Sequence, residues 1–298
     1  MKIGLIDVDG HNFPNLALMK LSAWHKAQGD EVEMVFPLAR YDRVYASKVF
    51  SFTPDIPFDP QTDDFRKGGT GYGLDNKLPD EIEHIMPDYS LYNITDTAYG
   101  FLTRGCPRRC DFCIVAEKEG RVSRKVADLR EWWDGEKNIE LLDPNILACP
   151  DWSDLLGQLS DSKARVNINQ GVDIRLLTEA KCEYLNRINL KMIHFAWDRN
   201  EDLEPLFLKW SKLIRLPERK RRVYVLTNFN TTMEYNLYRI YTLRSLGYDP
   251  YVMVYDKPNA SREIKRLQRW CNNKFVFRSC NKFEDYKKEA KGENYGND

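Results

Sequence analysis

The sequence lacks several features that would assign it to a common class of protein. It has no cysteine before residue 106, no second CxxC pair, and four histidines in 298 residues. It also has no net charge, because 45 basic and 45 acidic side chains cancel, so charge gives no indication of nucleic acid or an acidic membrane as a partner. No run approaches the ~20 apolar residues that a membrane helix requires, so we expect no membrane span.

The amino-terminal residues also lack the pattern of a secretory signal. MKIGLIDVDGHN contains acidic residues early and no long apolar core. Seven cysteines in a chain without secretory features indicate a reducing compartment, so we predict a cytoplasmic location. A length of 298 residues is sufficient for one large or two ordinary domains.

Three cysteines lie close together in the stretch GFLTRGCPRRCDFCIV. Cys106, Cys110 and Cys113 have the spacing CxxxCxxC, and Phe112 precedes the third. Thiolates hold iron–sulfur clusters, normally one per iron, so three cysteines would leave one iron of a four-iron cluster without a protein ligand. An open coordination position allows a substrate or cofactor to bind the metal directly.

Two other uses of these cysteines remain open. A zinc site would need a fourth Cys or His, and the histidine nearest in sequence is His84. A disulfide would take two of the three thiols and leave one over.

The CxxxCxφC pattern, in which φ is Phe112, resembles the cluster loop of the radical S-adenosylmethionine (SAM) superfamily. The resemblance implies a [4Fe–4S] cluster on the three cysteines and SAM chelated to the free iron. It also implies a one-electron reductant, such as flavodoxin or ferredoxin, that reduces the cluster. Reductive cleavage of SAM would then give methionine and a 5′-deoxyadenosyl radical, which abstracts hydrogen from a substrate that the sequence does not identify.

Hydrophobic patterning predicts an α/β fold that alternates strands with helices. Strands are expected at 99–104, 138–143, 165–174, 191–197, 222–229 and 250–256, and helices include 123–133, 178–188 and 233–246. These six βα units predict a (β/α)6 partial TIM-like barrel, the core that the resemblance also implies. We predict a Rossmann-like domain at 1–95, the barrel at 96–280, and a polar, flexible tail at 281–298.

The amino-terminal region predicts a β–α–β opening. Strands are expected at 3–8, 31–36 and 42–52, with a helix at 17–28, whereas 54–78 is predicted to be irregular. The opening resembles the amino-terminal half of cobalamin-binding radical SAM proteins. The segment KGGTGYG (67–73) is interpreted as a turn with left-handed glycines, or alternatively as a loop on a bound ligand.

Polar residues at strand ends are the candidates for SAM contacts, because the carboxyl ends of barrel strands meet on one face. The site around 143–145 resembles in position the glycine-rich acidic motif that holds the SAM amino group, and QGVDIRLLTEA resembles a VDxRxxxLT segment of several radical SAM branches. For each residue, the alternative is a role in capping a loop or helix. The predicted cofactor-binding set is Phe112, Asp143, Asn145, Asp173, Arg175, Asp198 and Asn228.

The remaining cysteines are interpreted separately. Cys149 follows a predicted barrel strand and is a candidate hydrogen-atom donor or catalytic thiolate. Cys182, Cys271 and Cys280 are predicted to be small core residues.

Two alternative functions remain. One segment, Asp9-Gly-His11-Asn-Phe-Pro14, is similar to the DxHxxG loop in which histidine ligates cobalt, but Pro14 replaces the glycine. We therefore interpret His11 as a turn residue and do not expect cobalamin. A cobalamin-dependent methyltransferase nevertheless stays open as an alternative function. The second alternative, of another class, is a non-catalytic metal-binding module for nucleic acid that uses the basic segments 212–222 and 262–270.

Overall fold

The computed structural model describes residues 1–10, 13–199 and 201–286, which divide into two compact units. The first unit comprises Met1–Val172 and Leu176–Met192, and the second comprises Asp173–Arg175 and the described residues from Ile193 onward. The predicted domain boundary near Thr95 therefore lies inside the first unit, and the division at that residue stays a prediction. No helix within the described ranges is both long and apolar enough to cross a membrane.

The first unit begins with a small parallel sheet. Its elements are β1 (Lys2–Asp7), α1 (Leu16–Ala27), β2 (Glu31–Met34), β3 (Arg43–Ser47) and β4 (Phe65–Gly68). The strands pair in parallel in the order β2-β1-β3-β4, as expected for a Rossmann-like opening. Ile3 and Leu5 of β1 are buried against Leu18 and Leu21 of α1, which explains the apolar pattern of both elements.

Strand β4 contradicts the prediction that 54–78 has no regular structure. Its sequence, Phe-Arg-Lys-Gly, has no apolar alternation, and three of its four residues are exposed. The strand forms because its backbone pairs with the edge of β3, from Val44 opposite Phe65 to Ser47 opposite Gly68. Pairing of this kind leaves no periodic trace in the sequence.

The first unit continues with the first half of the barrel. Its elements are α2 (Asp80–Glu83), β5 (Thr97–Gly100), β6 (Thr103–Arg104), α3 (Val115–Lys118), β7 (Arg124–Lys125), β8 (Asn138–Leu141), α4 (Trp152–Asp161), β9 (Arg165–Val172) and α5 (Glu179–Arg187). Strands β5, β8 and β9 pair in parallel, and β6 pairs antiparallel with β7.

The predicted helix at 123–133 is wrong. The segment instead contains β7 and a single 3-10 turn at Leu129–Glu131. The apolar residues at helical spacing that indicated this helix begin with Val122, which is 67% exposed, whereas Trp132 is buried. Apolar side chains at helical spacing therefore have different environments here, because the backbone pairs with the strand before the cysteine loop.

The second unit contains the other half of the barrel. Its elements are β10 (Leu190–Ala196), whose first three residues belong to the first unit, α6 (Glu204–Ser211), β11 (Arg221–Thr227), α7 (Met233–Ser245), β12 (Asp249–Val254), α8 (Arg262–Asn272) and α9 (Lys274–Ser279). Strands β10, β11 and β12 pair in parallel. The predicted α/β fold with six barrel strands, each followed by helical structure, is confirmed.

The predicted helices at 178–188 and 233–246 agree with α5 and α7 to within one residue at each end. Side chains of Thr178, Thr232 and Ser261 accept the backbone N–H groups that begin α5, α7 and α8. Gly247 follows α7 with a φ of +71°, a conformation that glycine adopts without steric cost.

Residues 281–286, the start of the predicted flexible tail, contact the fold. Phe283 is 4% exposed, and its ring centroid lies 5.7 Å from that of Trp270. Arg266 donates hydrogen bonds to the main-chain oxygens of Phe283 and Tyr286. The rest of the predicted tail lies outside the described residues.

Candidate functional site

The three cysteines lie on the loop between β6 and α3. The base of this loop is fixed by the pairing of β6 with β7, and by a hydrogen bond of 3.1 Å from the Cys106 amide to the Gly120 carbonyl. Cys106 and Cys110 are half-buried and Cys113 is exposed. Gly105 enters the loop with a φ of +86°, and a Cβ atom there would lie 2.2 Å from the Val122 carbonyl oxygen. The turn into the loop therefore requires glycine.

The donor set of this loop fits an iron–sulfur cluster. All seven cysteines are thiols, so the three on the loop are chemically competent to become metal ligands. Among the described residues, no group of three His, Cys, Asp or Glu side chains converges on a point where a single ion would sit. A four-iron cluster differs from a single ion in taking one thiolate per iron.

Asp143 fixes the segment that leads into the cysteine loop. Its carboxylate accepts hydrogen bonds from the Leu102 amide (2.7 Å), the Thr103 amide (2.9 Å) and the Thr103 hydroxyl (2.7 Å). Asp143 is 1% exposed, and burial raises its pKa to about 7 although the three donors act in the opposite direction. This geometry favours the loop-capping interpretation of Asp143, and its contact with SAM stays a prediction.

Asn145 contacts the first cysteine. Its side-chain Nδ2 donates to Cys106 Sγ at 3.5 Å, and the residue is 3% exposed. The Ser123 hydroxyl donates to the Asn145 main-chain oxygen at 3.0 Å. The side-chain Oδ1 of Asn145 is buried and has no hydrogen-bond donor among the described residues. The structure therefore brings two predicted site residues, Asn145 and Cys106, into direct contact.

The glycine-rich segment packs on the protein backbone. A Cβ atom on Gly69 would lie 2.4 Å from the Lys48 carbonyl oxygen, and Gly69 has a φ of +92°. The Gly71 amide donates to the same carbonyl at 2.8 Å. Thr70 accepts a hydrogen bond from Lys118 of α3, the helix that follows the cysteine loop. These contacts agree with the interpretation of this segment as a turn with left-handed glycine.

Phe112 is half-buried on the cysteine loop, and its contact with SAM stays a prediction.

In the second unit, Asp173 and Arg175 bind each other. Arg175 Nε donates to Asp173 Oδ1 at 2.7 Å, and the Arg175 amide donates to the same oxygen at 3.1 Å. Arg175 also pairs with Glu201 at 2.8 Å, a residue that the sequence did not single out. The pair ends β9 as predicted, and the contacts of both residues with SAM stay predictions.

Asp198 lies at the end of β10 beside a buried arginine. Burial raises the pKa of Asp198 to about 6, and its Oδ1 accepts the Leu226 amide at 3.0 Å. Arg239 of α7 is 0% exposed and donates to the carbonyl oxygens of Trp197 and Leu226, the latter at 2.8 Å. Burial lowers the pKa of Arg239 to about 10, and the charge of Asp198 favours its protonated form.

Sequence reasoning missed Arg239. It lies one residue before Ile240 and four before Leu243, both of which are fully buried. Charged residues are rarely buried unless they have partners, so an arginine on the apolar face of a predicted helix is the signal that could have identified it.

Asn228 holds two strand ends together. It has a φ of +64°, and its Nδ2 donates to the Tyr255 carbonyl at 2.8 Å, which joins the residues after β11 to those after β12. The bond favours loop capping, and the contact of Asn228 with SAM stays a prediction.

Cys149 is buried, with 1% exposure. Burial raises the pKa of its thiol, which disfavours a thiolate and leaves hydrogen-atom donation as the more compatible of the two predicted roles. Cys182 and Cys271 are core residues as predicted, with exposures of 2% and 0%, whereas Cys280 is half-buried. His11 lies outside the described residues.

The basic segments proposed for nucleic acid bind protein groups in several places. Arg221 donates to the Ser211 carbonyl at 2.9 Å, Arg222 pairs with Asp249 at 3.1 Å, and Lys265 donates to the Pro258 carbonyl at 2.9 Å. These contacts favour a structural role for the basic residues concerned.

The six βα units and the three-cysteine loop together define the radical SAM fold as the class to which this structure corresponds. No family model and no curated protein matches the sequence. Two solved structures of TsrM from Kitasatospora setae, a radical SAM methyltransferase, are similar at 12% identity, with TM-scores of 0.60 and 0.59. Each covers 85% of this chain, and this chain covers 74% and 72% of the respective TsrM chains. One TsrM structure contains cobalamin and a [4Fe–4S] cluster, and the other contains tryptophan substrate and the SAM analogue aza-SAM. The likeness confirms the fold.

Proposed function

We propose that this protein is a radical SAM enzyme with a [4Fe–4S] cluster on Cys106, Cys110 and Cys113. The observation that supports the proposal most strongly is the cysteine loop itself, three thiols placed after β5 and β6 of a radical SAM fold. One thiolate per iron leaves one iron available to SAM. When bound, the cluster would supply the electron that cleaves SAM to methionine and a 5′-deoxyadenosyl radical.

The residues of this chain would bind and orient the cofactor. The buried Oδ1 of Asn145, which lacks a donor in the described structure, is an acceptor suited to the ammonium group of SAM. Asp143 would hold the entry to the loop in place through Leu102 and Thr103. Phe112 and the second-unit residues Asp173, Arg175, Asp198 and Asn228 are the further proposed SAM contacts.

The reduction of the cluster requires an electron donor from outside the chain. Cys113 is exposed and the other two cysteines are half-buried, so the loop is accessible to a small redox protein. We therefore retain flavodoxin or ferredoxin as the proposed partner. A cytoplasmic location is also proposed, because a reducing compartment would keep the thiols and the cluster reduced.

Anaerobic reconstitution tests this proposal. The wild-type protein should bind about four irons and four sulfides per chain. Its EPR spectrum should change with SAM, and it should form 5′-deoxyadenosine from SAM and dithionite. Cys113→Ser should lose these properties, whereas Cys280→Ser, which changes a half-buried thiol outside the loop, should retain them. Tightly bound zinc without sulfide in the wild-type protein would contradict the proposal.

A cobalamin-dependent methyltransferase is a second candidate, and exposed apolar residues after two strand ends favour it. Five exposed apolar residues follow the carboxyl ends of β2 and β3, and they are Phe36, Leu38, Val49, Phe50 and Phe52. Ligands of parallel α/β sheets bind outside the carboxyl ends of the strands. The rings of Phe50 and Phe52 stack with their centroids 5.2 Å apart, and both residues are exposed, so they offer apolar contacts to a corrin ring.

Cobalamin in one of the two TsrM structures is consistent with this candidate. The expectation against cobalamin is therefore not supported. The candidate predicts that anaerobic full-length protein takes up a corrinoid with a visible spectral shift. Phe52→Ser should weaken uptake, whereas Phe275→Ser, which changes an 89%-exposed phenylalanine in α9, should not. Absence of uptake by the wild-type protein would remove the candidate.

A further inference from the structure

Asn145 and Cys106 form a contact that has consequences for the cluster itself. The Asn145 amide nitrogen lies 3.5 Å from Cys106 Sγ, and Asn145 is 3% exposed. Cys106 is half-buried, so the contact is partly shielded from water, and a shielded hydrogen bond is electrostatically stronger than one at the surface.

A hydrogen bond from Ser123 to the main chain of Asn145 restrains this residue. Ser123, which is 1% exposed, donates its hydroxyl to the Asn145 carbonyl at 3.0 Å. Ser123 directly precedes β7, whose partner β6 ends two residues before Cys106. Asn145 is thus linked through Ser123 to β7, and Cys106 follows β6, so the paired strands β6 and β7 position both residues.

An N–H donor on a thiolate ligand draws electron density away from the sulfur. It stabilises the more negative, reduced state of a cluster more than the oxidised state, and hydrogen bonds to sulfur are among the factors that set cluster potentials. Outer-shell partners of metal ligands also fix the orientation of those ligands.

We infer that Asn145 is a positioning residue that raises the reduction potential of the cluster through its hydrogen bond to Cys106. This inference rests on the proposed cluster and concerns its electronic environment, not its presence. A higher reduction potential makes reduction of the cluster by a biological one-electron donor more favourable, and the amide also orients the first thiolate.

An EPR-monitored redox titration of the reconstituted holoprotein tests the inference. Asn145→Leu removes the donor without adding charge and should shift the midpoint potential to a more negative value. Pulsed EPR of the reduced wild-type cluster should detect an exchangeable proton coupling that disappears in deuterated buffer and in Asn145→Leu. Asn138→Leu is the matched control, because Asn138 donates to the Asp96 carbonyl at 3.2 Å from the opposite end of β8. Its potential and proton coupling should equal those of the wild type.

Two further variants keep the test decisive if Asn145→Leu does not retain iron. Asn145→Ala makes a smaller change, and Ser123→Ala keeps the amide but removes its anchor, so its potential should lie between those of the wild type and Asn145→Ala. An unchanged potential at full iron content in any Asn145 variant would overturn the inference. Loss of iron from every variant, with the fold intact by circular dichroism, would also overturn it in favour of a role in assembly alone. Absence of iron and sulfide from the wild-type protein would instead contradict the proposed function.

Discussion

Asp143 comes two residues after β8 in the first unit, and Asp198 comes two residues after β10 in the second. Both carboxyl groups are buried, and burial raises their pKa values, to about 7 for Asp143 and about 6 for Asp198. Asp143 accepts three hydrogen bonds from Leu102 and Thr103, whereas Asp198 accepts the Leu226 amide and lies in the field of Arg239.

The two aspartates have the same position relative to a barrel strand, two residues after its end, but they have different hydrogen-bond partners. Asp143 accepts hydrogen bonds from the segment that leads to the cysteines, so its loss should disturb the cysteine loop and the proposed cluster. Asp198 accepts a hydrogen bond from Leu226 at the end of β11, and the buried Arg239 stabilises its negative charge. Its loss should therefore affect mainly stability and the proposed ligand binding. An acidic residue after a strand therefore predicts a polar, buried position but does not specify its partners.

The largest expected effect follows from changing Asp143. Asp143→Asn keeps the shape but places an NH₂ group among donors, which would leave the Leu102 or Thr103 amide without an acceptor. We expect the free energy of unfolding to fall by about 2–4 kcal/mol, and iron retention to fall with it. Chemical denaturation and iron analysis of the reconstituted protein measure both.

The control for this change is Asp111→Asn, which alters an exposed acid within the cysteine loop. It should leave stability and iron content near the wild-type values. Full stability and full iron content in Asp143→Asn would show that the three hydrogen bonds do not fix the loop.

Arg239→Met should have an intermediate effect. It removes the donors to the Trp197 and Leu226 carbonyls and the positive charge beside Asp198. Unsatisfied buried carbonyls cost about 1–3 kcal/mol each, partly offset by relief of the buried charge, so we expect a net loss of about 2 kcal/mol by chemical denaturation. Arg269→Met, at an exposed position of α8, is the control. Equal stability of the two variants would show that the guanidinium does not clamp the strand ends.

The smallest effect should appear in the pH dependence of Asp198→Asn. The raised pKa of Asp198 means that its folded form binds a proton more tightly than its unfolded form. Its contribution to stability is therefore fully present below the unfolded pKa near 3.8 and is lost as pH rises through about 6. Relative to Asp198→Asn, the wild type should lose about 1–2 kcal/mol of unfolding free energy between pH 5 and pH 7. A difference between wild type and variant that does not change with pH would contradict this assignment.

The cysteine loop and most of the barrel were predictable because their signals are local. Thiols at fixed spacing, the caps Thr178 and Gly247, and apolar strands each determine a nearby backbone conformation. The failures occurred where a backbone was stabilised by a partner distant in sequence. β4 forms on β3, and 123–133 adopts a strand and a turn because β7 pairs with β6.

The sequence by itself determined which residues were candidates: three cysteines on one loop, and polar side chains at the strand ends. Only the tertiary structure decided what each candidate contacts, such as Asn145 with Cys106 across 39 positions and Asp143 with Thr103 across 40. It also revealed Arg239, which donates to Asn236 Oδ1 and to two main-chain carbonyls, and main-chain carbonyls carry no residue-specific signal. The physical reason is that hydrogen bonds depend on distances of a few ångströms between groups, and these distances are set by how strands pair and helices pack rather than by the identity of the residues that take part.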